Sequence, residues 1–154
     1  MKLFITRDTK SPVYLDAVRI RRQVFVEEQH VPTEIEIDAY EALCVHFVLY
    51  DDETDAALAT ARLLPGKENE NLITLQRMAV LKEYRGNGYG RKVMEAIEKF
   101  AAQNRFPEIV LHAQLTAKDF YTKMGYIPFG DEFEEAGIRH ISMKRQIQIC
   151  AETD

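Results

Sequence analysis

Apolar residues along this chain change period several times, and each change marks an element. Ser11 followed by Pro12 reads as a helix start, because a serine oxygen accepts from a free first-turn N–H and proline is tolerated where no donor is missed. Leu15, Val18, the stem of Arg22 and Phe25 then recur at helical spacing, which predicts a helix over about 12–28. Between 31 and 44, Pro32 and the acids Glu34, Glu36 and Asp38 alternate with Ile35 and Ile37, a pattern compatible with a strand or an ordered loop. A loop with a short turn is expected there. Val45–Tyr50 and Ala56–Leu64 are β-prone runs on either side of an acidic stretch, 51–55, as in a hairpin.

Residues 65–71 are polar and predict a connection, after which Leu72–Val80 reads as another strand. That strand leads into Tyr84-Arg85-Gly86-Asn87-Gly88-Tyr89-Gly90. The period then becomes helical: Val93, Met94, Ile97, Phe100 and Ala101 form an apolar stripe on a helix running to about 104. Ile109–Ala113 predicts a buried strand, and Ala117–Met124 a short helix closed by Gly125, a residue suited to the left-handed conformation past a helix end. Tyr126–Phe129 and Ile138–Lys144 supply two more strands. The order is one helix, three strands, a helix, a strand, a helix and two strands, an α/β chain without internal repeats.

Composition narrows the class. At 154 residues the chain has the size of one domain, so a single domain over 1–154 is expected. A hydrophobic fraction of 46% with 29% charged residues suits one core. The net charge of −5 opposes a nucleic-acid partner, whose phosphates need a basic face. Cys44 and Cys150 lie far apart and lack a CxxC partner, which suggests reduced thiols and a cytoplasmic location rather than disulfides or zinc. Met1–Lys10 lacks the apolar run of a signal peptide, and no stretch reaches the roughly 18 apolar residues of a membrane span. His30, His112 and His140 are scattered, so no metal site is expected, and Met78, Met94, Met124 and Met143 read as core filler.

The glycine-rich segment carries the chemistry. Gly86, Gly88 and Gly90 follow a strand and open a helix, so successive N–H groups can converge on an anion at the positive end of the helix dipole. A plain tight turn has the same composition, but the surrounding charges favour an anion: Lys82, Arg85, Arg91 and Lys92 stand against Glu83 alone in an acidic chain. It is no nucleotide-triphosphate loop, since Arg91 and Lys92 follow Gly90 where lysine and serine or threonine would stand. The GxGxG spacing also departs from the GxGxxG dinucleotide fingerprint.

At this point the chain resembles the GNAT N-acetyltransferase superfamily, whose signature Q/R-x-x-G-x-G/A matches Arg85, Gly88 and Gly90. Leu75–Val80 and the following Leu81–Arg85 resemble the family's fourth strand and its approach to the loop. Downstream, Ala117, Phe120-Tyr121 and Gly125-Tyr126 resemble its AxxFYxxxGF helix. The first third is similar to the small ElaA-type branch at Arg19 or Arg22, Val24-Phe25-Val26-Glu28-Gln29, Pro32, Glu36, Asp38 and His46. The chain departs from these patterns at Gln114, where many relatives have asparagine, and at Tyr40, where the branch has a second aspartate.

The resemblance implies a GNAT fold, with a central mixed, mostly antiparallel sheet of about six to seven strands flanked by helices. It implies an acyl-CoA-dependent N-acyltransferase that moves an acetyl group from acetyl-CoA to a primary amine, without an acyl-enzyme. Backbone groups of Met78, Ala79 and Val80 would bond the pantetheine arm, and the amides of Arg85, Gly86, Asn87, Gly88, Tyr89 and Gly90 would hold the pyrophosphate. Arg91 or Lys92 would lie near the outer phosphates, and Gln114 and Tyr121 belong to the same coenzyme set. Tyr121 would protonate the departing thiolate, against an alternative role as a core tyrosine. Glu36, Asp38 and His46 are candidates for the acceptor site and for a base or water relay, against a solvated loop for the acids and a satisfied strand histidine for His46. Arg22 would hold a substrate carboxylate or cover the core with its stem. The partners implied are a small-molecule or peptide amine and, as in similar proteins, a second copy in a homodimer. Two alternatives stay open: an acyl-homoserine-lactone-synthase-like acyltransferase, and a catalytically silent acyl-CoA sensor.

Overall fold

A computed structural model describes residues 1–66 and 71–149. Cys150 and positions 67–70 of the polar connection lie outside the described residues. Seven strands form one sheet in the order β1-β2-β3-β4-β5-β7-β6: β1 Lys2–Thr6, β2 Val45–Tyr50, β3 Ala57–Pro65, β4 Leu72–Val80, β5 Glu108–Gln114, β6 Ile127–Glu135 and β7 Ile138–Gln146. Among the described residues four α-helices accompany them: α1 Pro12–Arg21, α2 Thr33–Glu36, α3 Tyr89–Gln103 and α4 Lys118–Lys123. The chain divides into two compact units, Met1–Leu64 with Gln76–Ile97, and residues from Pro65–Leu75 and from Glu98 onward; β4 and α3 each run from one into the other.

In the first unit β1, β2 and β3 are antiparallel, with Thr6 opposite His46 and His46 opposite Arg62. Strands β2 and β3 are buried almost throughout, so both faces are covered and the runs read as continuously apolar rather than alternating. Strand β1 was not legible in Met1–Lys10. Its Phe4 and Ile5 stay about half exposed, so no alternation betrays it, and pairing along the edge of β2 makes it a strand.

The expected 12–28 helix is present but changes winding. Ser11 caps it, its Oγ accepting from Tyr14 N at 3.2 Å. From Arg22 to Glu28 the chain is π-helical, as the Gln29 N–H to Val24 C=O bond of 3.1 Å shows. The buried face also differs from the expected one: Tyr14, Ala17, Ile20, Arg21, Val24 and Phe25 point inward while Leu15 is 60% exposed. The expected stripe of Leu15, Val18, Arg22 and Phe25 leaves out Arg21, which is buried. With Arg21 included, 14, 17, 21 and 24 form the regular stripe. The 31–44 segment condenses into α2 and a 3-10 turn, Glu41–Leu43, where a loop with a short turn was expected.

In the second unit β5 is parallel to Leu72–Leu75 of β4 and antiparallel to β7, which pairs in turn with β6. Strand β6 extends to Glu135, well past the expected Phe129. Gly130 and the acids after it read as loop, but pairing with β7 resumes at Phe133 after a register shift. The short helix is split into a 3-10 turn, Leu115–Ala117, and α4. Of the four methionines expected in the core, Met94 and Met143 are fully buried and Met78 and Met124 partly so. No helix among the described residues is long and apolar enough to cross a membrane.

Gly125 ends α4 with φ +92°, and its N–H donates to Thr122 C=O at 3.0 Å. A Cβ there would meet the Arg145 guanidinium at 3.3 Å, and Arg145 is fixed by Glu98 at 2.7 Å. Gly125→Ala is therefore expected to cost about 1–2 kcal/mol of stability, read as a lower urea midpoint at unchanged slope.

Candidate functional site

The glycine turn grows out of the end of β4. Leu81 N–H donates to Leu58 C=O at 3.0 Å, a 3-10 turn covers Lys82–Tyr84, and the chain reaches Gly86 and Gly88 with φ of +84° and +78°. Other residues are strained at such angles, which is why glycine stands at both positions. A Cβ on either would project into open space, so that side of the turn is unobstructed. The first bond of α3 runs from Lys92 N–H to Gly88 C=O at 3.2 Å. The N–H groups of Tyr89, Gly90 and Arg91 therefore precede the helical ladder, at the positive end of a fifteen-residue helix. These residues fit a diphosphate: the amides are of the right kind and nothing fills the space above the glycines.

Side chains brace this turn rather than fill it. Asn87 Nδ2 donates to Tyr84 C=O at 3.0 Å. Arg85 donates from Nε to Val80 C=O at 2.9 Å and from its two terminal nitrogens to Glu28 at 2.7 and 2.8 Å. Arg91 and Lys92 are exposed. Met78 and Val80 are half-buried on either side of buried Ala79. One residue before them Arg77 adopts φ +58°, an unusual angle for a side-chain-bearing residue within a strand.

The polar residues expected at the acceptor lie in a buried ion cluster. Glu36 is 2% exposed and is held by Arg21 Nε at 2.7 Å and Arg77 Nε at 2.9 Å. Burial pushes its carboxyl upward even against these cations. Asp38 takes a bidentate pair from Arg62, at 3.0 and 2.8 Å, and a third contact from Arg77 at 3.3 Å. Glu41 accepts from Arg21 at 2.7 and 3.0 Å, from Tyr14 OH at 3.0 Å and from Arg62. Arg62 also reaches Gln76 Oε1 at 2.8 Å. Three guanidiniums thus face three carboxylates, and the formal charges of the cluster balance.

Sequence reasoning found Glu36 and Asp38 but missed Arg21, Glu41, Arg62 and Arg77. A signal existed: Arg62 and Arg77 interrupt otherwise apolar β-prone runs, and a charge in a covered strand must have a partner. Arg22, the expected substrate arginine, is exposed, whereas its neighbour Arg21 turns into the cluster.

His46 sits beneath the cluster with no exposure, Tyr14 edge-on to its ring at 4.9 Å. Its Nε2 lies 2.9 Å from Glu41 C=O, which can only accept, so Nε2 carries the proton. Nδ1 is then a lone pair, buried and without a partner among the described residues. Burial lowers its pKa and keeps the ring neutral.

Tyr121 and Gln114 belong to the second unit. Tyr121, on α4, is 7% exposed between the rings of Phe120 and Tyr126, at 5.0 and 5.9 Å. Burial raises its phenol well above the ordinary value, so it stays protonated. Gln114 is half-buried at the end of β5, opposite His140. No three His, Cys, Asp or Glu side chains group as a metal would need among the described residues.

Asp38 supplies a measurable linkage. Burial favours its neutral form, but the bonds and charge of Arg62 outweigh that and hold the carboxyl down at about 2. Its contribution is whole above the unfolded value near 4 and is lost as pH falls toward 2. Asp38→Asn should therefore cost about 2 kcal/mol at pH 7. Urea denaturation at a series of pH values should show that gap closing below about pH 4.

The profile described as acetyltransferase (GNAT) domain matches residues 13–147. An uncharacterized N-acetyltransferase of Bacillus subtilis (strain 168), YjcF, is 40% identical over 131 residues, 84% of this chain and 90% of that protein. The crystal structure of Escherichia coli ElaA superposes with a TM-score of 0.80 at 25% identity, covering 94% of this chain and 98% of that one. An acyl-CoA N-acyltransferase from Pseudomonas aeruginosa shares the fold, with a TM-score of 0.81 at 23% identity and coverage of 94% and 99%.

Proposed function

The chain belongs to the GNAT acetyltransferase family, whose members transfer an acyl group from an acyl-CoA, and from that premise we propose direct transfer from acetyl-CoA to a primary amine. The observation that carries this reading is the glycine turn, with unladdered amides at the start of α3 and open space over Gly86 and Gly88. The reading takes the chain as a single catalytic domain, as the profile match over residues 13–147 supports.

In this mechanism the pantetheine arm bonds the backbone of Met78, Ala79 and Val80, and an N–H there stabilises the developing oxyanion. The pyrophosphate lies on the amides of Arg85 to Gly90, the outer phosphates near Arg91 and Lys92, and Gln114 adds a coenzyme contact. Acetyl-CoA supplies an activated thioester. The amine nitrogen forms a bond to the thioester carbonyl carbon, the carbon–sulfur bond breaks, the thiolate takes the Tyr121 phenol proton, and the proton shed by the nitrogen of the new amide restores the phenol. The raised phenol pKa supports a donor protonated at every working pH.

An ammonium acceptor must first lose a proton, which costs about 4 kcal/mol at pH 7 for a pKa near 10. Glu36 and Asp38 have their oxygens committed to arginines, so their role is to hold the α2 segment. His46 Nδ1 is the basic atom the cluster leaves open, and because the ring is fully buried a water must carry the proton to it. Arg22, exposed on the π-turn, would meet a carboxylate on a small-molecule or peptide acceptor.

Thiol release from acetyl-CoA with a panel of amines tests the activity, and calorimetry with acetyl-CoA tests the cradle. A protein that binds the thioester but releases no thiol with any amine would be a sensor instead. Tyr121→Phe should lower turnover about 100-fold while leaving acetyl-CoA affinity nearly unchanged; unaltered turnover removes Tyr121 from the mechanism. The kcat/KM profile should show an acidic limb with its midpoint below about 6.5. His46→Gln should abolish that limb, and a variant that retains it assigns the limb to another group.

A further inference from the structure

Glu28 projects from the last residue of the π-helix to a turn 57 positions away in the chain. Its two carboxylate oxygens accept from the two terminal nitrogens of Arg85, and the Nε of the same guanidinium donates to Val80 C=O at 2.9 Å. One planar group thereby ties three backbone segments: the end of β4, the entry to the glycine turn and the end of the π-helix. A cavity of about 270 Å³ lies between the π-helix and the 3-10 turn, with Gln23, Val24, Leu81 and Lys82 in its walls. Glu28 lines this cavity as well.

The winding explains why Glu28 arrives there. A π-turn takes one more residue per hydrogen-bonded ring than an α-turn, so every side chain after Arg21 is rotated from the position an α-helix would give it. Charge supports the pairing as well: Arg85, with Lys82 nearby, holds the Glu28 carboxyl below the usual range.

We propose that Glu28 is a positioning residue for the coenzyme: through Arg85 it fixes the turn whose amides receive the pyrophosphate. This rests on the coenzyme reading above. Arg85 is occupied by Glu28 and Val80, so it shapes the cradle instead of acting as a free phosphate ligand. The same bond joins the Val24-Phe25-Val26-Glu28-Gln29 segment to the Arg85-Gly86-Asn87-Gly88 turn.

Calorimetry on the full chain separates the two levels. Wild-type protein that binds no acetyl-CoA overturns the coenzyme reading itself. Given wild-type binding, Glu28→Ala should weaken acetyl-CoA about fivefold, as expected for a half-exposed ion pair. Glu28→Gln, which keeps the shape and loses the charge, should weaken it less. The double variant Glu28→Ala with Arg85→Ala should bind no more weakly than Arg85→Ala alone, because both changes remove one brace. The phosphate-free fragment S-acetylpantetheine, followed by NMR titration, should bind wild type and Glu28→Ala alike. Wild-type affinity for acetyl-CoA in Glu28→Ala, independent losses that multiply in the double variant, or an equal loss with S-acetylpantetheine overturns the proposal.

Discussion

A guanidinium taken out of water must find carboxylates, and the first unit is organised around three that have done so. Arg21 and Arg62 are each 1% exposed, and Arg77 is partly covered. Removing one partner of such a pair leaves an uncompensated charge, typically at a cost of about 3–5 kcal/mol. The cluster therefore fixes geometry by the penalty for breaking it. It joins α1 to the 36–41 segment through Arg21, β3 to that segment through Arg62, and β4 to it through Arg77. Arg77 also bonds the carbonyls of Ile35 and Glu36, which helps hold its own left-handed backbone angle.

That arrangement divides labour among residues that look equivalent in sequence. Acids committed to arginines hold the 36–41 segment in place, while the neighbouring neutral imidazole keeps a lone pair that has no partner among the described residues, because its other nitrogen faces a carbonyl. The glycine turn works by the opposite logic. It leaves amides outside the helical ladder, and its own side chains turn away to brace it. Asn87 and Arg85 bond backbone carbonyls at the turn's margin, so rigidity comes from the rim and the centre stays open.

Much of this was legible in the order of residues. Ser11-Pro12 specified its helix start, the stripe Val93, Met94, Ile97 and Ala101 specified α3, and β2 and β4 fell within the bounds that β-prone runs predicted. Each of these depends on chemistry local to a few residues: a cap, a period, a bulk preference. The glycine turn belongs with them, since positive φ at Gly86 and Gly88 is a requirement a single residue type answers.

What the sequence by itself determined is thus most of the helices and strands, the family and the glycine turn. Only the tertiary structure decided which charges are buried, because the burial of Arg21 and Arg62 depends on carboxylates 15 to 24 positions away in the chain. It decided that β1 and the far half of β6 are strands, since edge residues acquire that conformation from the neighbour they pair with. It also decided the facing of Glu28, because winding after Arg21 set a direction that helical counting could not supply.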